Sequence, residues 1–256
     1  MSSIKYGAKE TPSAHLVIKN SFIMFTKVVL PQGAAAEEAR DQHIQEVLDA
    51  LIKRSNRPEN VHGQGYAYFR TCDLDDFSLT EYLSDERIDK EVAKEACREA
   101  CFYQNNWSRR TIAFENVAGG YTLRSSCFKG YYGPKTVSWI RHQEWPDTCM
   151  IFEDFMDYLA FLTLIKQGDS IVEGKEGFDA VVLNQVDLEQ TSVIDLLNLY
   201  DNIECFCGDG ESGMKTFRHI RKRCLSRVRD AMDNNIRVYL EEHSKEQVRR
   251  HRGMHR

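Results

Sequence analysis

Apolar and polar positions follow two different patterns along this chain. Residues 15–30 are dense in β-branched and aromatic side chains and predict one or two strands, stopped at Pro31-Gln-Gly33. From Ala34 to Arg54 the spacing becomes helical: Ile44, Val47, Leu48, Leu51 and Ile52 form one stripe. Residues 55–65 are a polar loop, and Gly65–Arg70 a short strand. Ser78-Leu-Thr-Glu81 has the form of a capping box and opens a short helix. A second helix is expected from near Asp89 to about Ala100. Residues 110–140 are β-rich, with a Gly119-Gly120 turn, which predicts antiparallel strands joined by short turns.

After Pro146 the pattern changes. Thr148–Phe152 is a short, continuously apolar run that reads as a strand, Phe178–Leu183 is another apolar strand, and Ile203–Cys207 is a third. Between them, Phe155–Lys166 is apolar nearly all round and Thr191–Tyr200 reads as a further helix. Gly208-Asp-Gly-Glu-Ser-Gly213 then leads into a long helix from Met214. Its stripe of Phe217, Ile220, Cys224 and Val228 suggests that it packs on the body with a cationic outer face. Strands alternating with helices indicate parallel βαβ units. The fold class expected is α/β: a parallel sheet with helices on both faces, preceded by an α+β segment.

Composition adds two points. The net charge of −5 is uneven: Met214–Arg256 holds 13 Lys/Arg against 5 Asp/Glu, a net of +8, and the rest carries −13. A basic tail on an acidic body indicates a polyanionic partner or docking on the body itself; a solvated charged helix is the plainer alternative. The N-terminus has no basic-then-apolar leader and no apolar run spans a bilayer, so a cytoplasmic protein with no membrane partner is expected. The eight cysteines read as reduced, buried thiols. Cys97 and Cys101, four apart on an expected helix, lack a supporting Cys-x-x-Cys pair, and no zinc is expected.

In an open α/β sheet, ligands gather at the carboxyl ends of the strands. Glu153 and Asp154 follow the first buried run, with Asp157 a turn later; Asp209 and Glu211 follow the third. Carboxylates converging from two strand ends suit magnesium, a hard cation that prefers oxygen ligands. Acids at helix N-termini also occur for the helix dipole alone. Arg124, Lys129 and Lys135, interleaved with Tyr131, Tyr132 and Trp139, form a basic-aromatic patch suited to single-stranded DNA or RNA, unless the aromatics are core residues.

The stretch Phe152-Glu-Asp-Phe-Met-Asp-Tyr-Leu-Ala-Phe-Leu162 resembles the first Toprim motif of bacterial primases, a strand ending in Glu-Gly followed by an aromatic, Met and Asp; Glu153 and Asp157 match it. Gly119-Gly-Tyr-Thr-Leu-Arg-Ser-Ser-Cys-Phe-Lys-Gly130 and Pro134-Lys135 resemble the segment before that motif in primase-like Toprim proteins of Bacteroides-type mobile elements. Val181-Val-Leu-Asn184 and the last strand, loop and helix fit too, so the resemblance covers roughly residues 78–230. It implies a Toprim-type sheet at 146–231, a primase N-terminal-core-like segment at 78–145, an α+β segment at 1–77 and a basic tail at 232–256. It implies DNA replication by magnesium-dependent RNA primer synthesis in a mobile element, with a replicative helicase as partner. Glu153 and Asp157 would be catalytic, and Glu153, Asp209 and Glu211 would hold metal.

Three departures stand against that pattern. Asp154 replaces the motif's glycine. The family's Asp-x-Asp-x-x-Gly motif appears as Gly208-Asp-Gly-Glu-Ser-Gly213. In the ungapped register glycines occupy both metal positions; in a loop one residue shorter, Asp209 and Glu211 supply the pair. The Cys/His cluster of the family's N-terminal zinc module is absent from residues 1–77. The expectations are therefore an active primase, a nucleic-acid-binding relative that has lost the metal site, or a Toprim nuclease.

Overall fold

A computed structural model describes residues 34–63, 65–141, 147–169, 172, 178–186, 188, 193–208, 210–231 and 236–242. The strands expected within residues 15–30 lie outside the described residues. The chain divides into two units, residues 1–43 and 44–256; of the first, the start of helix α1 (Ala34–Ser55) is described.

The second unit holds two sheets. One is antiparallel throughout, in the order β1-β6-β5-β4-β3-β2. Its strands are β1 (Val61–His62), β2 (Ala67–Cys72), β3 (Arg98–Gln104), β4 (Trp107–Glu115), β5 (Tyr121–Ser125) and β6 (Phe128–Pro134). The sheet curls so far that Phe69 of β2 stacks on Tyr132 of β6, at the other side of the strand order, with ring centroids 3.5 Å apart. Ala100, Phe102, Ala113 and Leu123 fill the inside of the curl.

The other sheet has the order β11-β10-β8-β9-β7. Strands β8 (Thr148–Phe152), β9 (Asp179–Val182), β10 (Asn202–Phe206) and β11 (Val228–Asp230) are parallel, and β7 (Ser138–Ile140) pairs antiparallel with β9. The expected purely parallel sheet is thus a mixed one. The strand that departs arrives directly from the antiparallel sheet and occupies an edge, where a reversed strand is readily accepted.

Side-chain alternation along β8 sends Met150 and Phe152 to one face and Cys149 and Ile151 to the other. The first face packs on α2 (Phe77–Asp85), α3 (Lys90–Ala96) and α4 (Phe155–Gln167), joined by Ile236 and Leu240 of a helix at 236–242, called α7. The second packs on Val47 and Leu51 of α1, on α5 (Val193–Leu197) and on α6 (Glu211–Cys224). Helices therefore cover both faces, as expected for strands alternating with helices. Helix α4, apolar all round, is buried along most of its length.

Four local expectations are corrected. Helix α2 is capped by Asp76, whose carboxylate accepts from Ser78 N and Leu79 N, and not by Ser78. Helix α3 stops at Ala96, because Cys97 is extended (φ −126°, ψ 167°) and leads into β3. Cys97 and Cys101 consequently lie on different elements, and Cys72 and Cys127 are exposed. Helix α6 begins at Glu211 and ends at Cys224; Leu225 turns through φ 55°, and Val228 starts β11 instead of extending a helical stripe.

Candidate functional site

The chain runs from β8 through α4 to β9 on one side, then through α5 to β10 on the other side of β8. The connections part in opposite directions between β8 and β10. Such a switch point leaves a crevice outside the carboxyl ends of the two strands. Glu153 follows β8 there, and the Cys207–Gly208 turn follows β10.

Glu153 Oε1 accepts from Thr216 Oγ1 at 3.1 Å and weakly from Ser212 Oγ at 3.4 Å, both on α6. Burial raises the Glu153 carboxyl above its usual range, and the two hydroxyls pull it back in part. The close approach of α6 depends on Gly213: a Cβ there would stand 1.6 Å from the Cys207 carbonyl oxygen. Glycine is required because backbone passes over backbone at the loop's exit.

The neighbouring acids have other partners. Asp154 is buried, caps α4 by accepting from Met156 N at 2.9 Å, and receives the buried Arg124 guanidinium from β5. Asp157 is buried on α4 and accepts from Arg237 Nε of α7 at 2.7 Å. Burial lifts the Asp157 carboxyl to about 6 against the pull of Arg237. Arg237 also reaches Glu86 Oε2 at 3.5 Å. Glu211 is exposed in the first turn of α6. Asp209 lies outside the described residues.

The structure therefore brings Glu153 and α6 together, and among the described acids Asp154 and Asp157 are engaged by Arg124 and Arg237. Among the described residues, the three metal-ligating side chains whose donor atoms fall within 4.8 Å of one another are Cys72, Glu99 and Cys101; no such set contains Glu153. Of the three residues expected to hold magnesium, the structure describes Glu153, half-buried at the crevice, and Glu211, exposed in the first turn of α6. The Cys72 group is not well suited to a cation, since Glu99 already accepts Arg110 Nη1 at 2.8 Å and Asp76 N at 3.0 Å.

The expected nucleic-acid residues divide three ways. Arg124 is buried in its pair with Asp154, so it presents no exposed charge to a phosphate, which corrects its place in the basic-aromatic patch. Lys129 is exposed on β6. Lys135 is partly buried, with Nζ 4.2 Å from the centre of the Tyr131 ring, and burial lowers its pKa. The Tyr131 hydroxyl donates to Gln185 Oε1 at 3.2 Å, just beyond β9. Lys135 and Tyr131 therefore sit beside the carboxyl ends of the parallel strands. Trp139 instead donates its indole N–H to Tyr200 Oη at 2.7 Å, and Tyr132 stacks inside the curled sheet; both have structural roles.

Sequence reasoning missed Ser212 and Thr216 as partners of Glu153, although Thr216 follows Ser212 by four residues on one helix face. It also missed Arg237, which no local signal ties to Asp157.

Residues 69–133, most of the antiparallel sheet, match the family described as Domain of unknown function (DUF8464). No curated protein matches the chain. Among solved structures, the chain is similar to the primase fragment of the bacteriophage T7 primase-helicase protein. The identity is 15%, the likeness covers 75% of this chain and 79% of that one, and the TM-score is 0.48.

Proposed function

We propose that this chain is a Toprim-type, DNA primase-like protein that acts on nucleic acid through the crevice between β8 and β10. The observation that carries this reading is Glu153, a half-buried carboxylate at the switch point, held by hydroxyls of the helix that follows β10. It sits at the position the first Toprim motif assigns to its acid. Lys129 and Lys135 contact the phosphates of a single strand, and Tyr131 offers a ring beside them.

The arrangement favours binding over polymerisation. Asp154 and Asp157 are paired with Arg124 and Arg237, and no close set of three described metal-ligating side chains includes Glu153. The chain is a nucleic-acid-binding member of this type whose primer synthesis is weak or absent in isolation. A place in mobile-element replication and a replicative helicase as partner belong to the same reading.

The test joins two assays on the purified chain. Single-stranded DNA or RNA should bind, and Glu153→Gln should leave binding intact. Primer synthesis with magnesium or manganese should be slight. Robust metal-dependent synthesis that Glu153→Gln abolishes would replace this reading with that of an active primase; absence of binding at low salt would remove both.

A further inference from the structure

The β2 edge of the antiparallel sheet carries a feature that the crevice does not use. The pairings Ala67↔Tyr103 and Arg70↔Cys101 leave one extra residue on β2, a bulge. Tyr68 sits within it at φ 55°, a left-handed conformation that costs a tyrosine on the order of 1 kcal/mol. The bulge leaves Tyr68 85% exposed. Tyr103, its T-shaped neighbour with ring centroids 6.1 Å apart, is 48% exposed. Trp107, one pair further along the β3–β4 hairpin, is 73% exposed. A groove of about 520 Å³ opens here, lined by Tyr68, Arg70, Tyr103, Ser108 and Arg110 among others.

Charge selects the occupant. The groove is lined by Arg70 and Arg110 and by no Asp or Glu, in a protein of net charge −5. Arg70 is exposed and has no side-chain partner among the described residues. Arg110 borders the groove but is already paired with the buried Glu99 and with Asp76, so Arg70 is the cation the groove offers. Exposed rings beside an arginine match the two needs of a single strand, stacking for the bases and a cation for the phosphates. A bulge also twists an edge away from further strand pairing, which disfavours a second copy or an added peptide strand.

We propose that this bulged edge is a stacking platform for single-stranded nucleic acid, a contact surface additional to the β8–β10 crevice. Bases stack on Tyr103 and Tyr68, and a flanking phosphate pairs with Arg70. The experiment is fluorescence anisotropy on the full chain with labelled oligothymidylate and oligouridylate of about 12 nucleotides. Tyr103→Ala and Arg70→Ala should each weaken binding about fivefold or more, with unchanged thermal melting, while Tyr103→Phe should bind as the native chain does. Quenching of tryptophan emission by oligothymidylate, lost in Trp107→Phe, supports the same surface without disturbing the strand. A preference for one polymer assigns the strand as DNA or RNA within the proposal. Affinity that stays within twofold in Tyr103→Ala combined with Arg70→Ala overturns it. So does a homodimer that these substitutions dissociate, which would assign the edge to a second copy.

Discussion

The buried Arg124 guanidinium on β5 donates to the Asp154 carboxylate that caps α4, tying the antiparallel sheet to the turn that carries Glu153. Neither charge has water to fall back on. Removing one partner strands the other, which typically costs about 3–5 kcal/mol, more than the intact pair contributes over a neutral replacement. Arg124→Met should lower stability by about that amount in urea denaturation. Adding Asp154→Asn, which keeps an acceptor for Met156 N, should recover a large part. If Arg124→Met alone stays within about 1 kcal/mol of the native chain, the pair does not hold the two sheets together.

Asp157 gives the protein a pH dependence of definite sign. Its folded pKa, about 6, lies above the ordinary carboxyl value of 3.8. The folded state thus holds the proton more tightly. The stability this provides is complete below the unfolded value and is lost as pH rises through about 6. A rise from 3.8 to about 6 corresponds to about 3 kcal/mol at most. Glu153 shifts in the same direction and steepens the slope. Urea midpoints should fall between pH 4 and 6.5, and Asp157→Asn should flatten that fall. An equal slope in the variant would place the titration elsewhere.

The two candidate caps of α2 make opposite demands. Asp76 accepts from two backbone N–H groups at the helix start and receives Arg110 Nη1 at 3.3 Å. Ser78 lies inside the first turn. Asp76→Ala should cost about 1 kcal/mol and Ser78→Ala less than about 0.5 kcal/mol, read from chemical denaturation. A larger loss at Ser78 would restore the capping box that the sequence suggests.

What the sequence made legible, and what it hid, divides by range. The parallel strands were readable because β8, β9 and β10 are short, mostly apolar segments, with Cys149–Phe152, Ala180–Val182 and Cys205–Phe206 buried. Strand β3 was hidden because Arg98–Gln104 follows α3 without glycine or proline; the stop is the extended Cys97. Strand β11 was hidden because Val228 happens to continue the period of α6, which the positive φ of Leu225 interrupts. Glu153 was singled out from its place after a strand, and it does follow β8. The partners that decide the role of its neighbours lie 30 residues away for Asp154 and 80 for Asp157, distances at which no spacing rule operates. The same range explains Arg124: its neighbours in sequence are those of an exposed hairpin, and only the packing of β5 against α4 buries it.

Binding at the crevice should be electrostatic, and its salt dependence separates the lysines from the buried arginine. Each phosphate neutralised releases condensed counterions, so the logarithm of the binding constant falls with the logarithm of salt, by about 0.7 per contact for a single strand. Lys129 is exposed and able to make such a contact directly. Lys135 is partly buried against Tyr131, and burial lowers its pKa, so a phosphate that pairs with it recovers the solvation lost there. Lys129→Ala and Lys135→Ala should each weaken binding and each reduce the slope by about 0.7. Arg124→Met combined with Asp154→Asn should leave the slope unchanged, since that guanidinium already has its anion. The measurement is anisotropy of a labelled single strand across a salt series. A slope near zero in the native chain, or one insensitive to both lysines, would remove these two residues from the nucleic-acid contact and leave the crevice without a cationic wall.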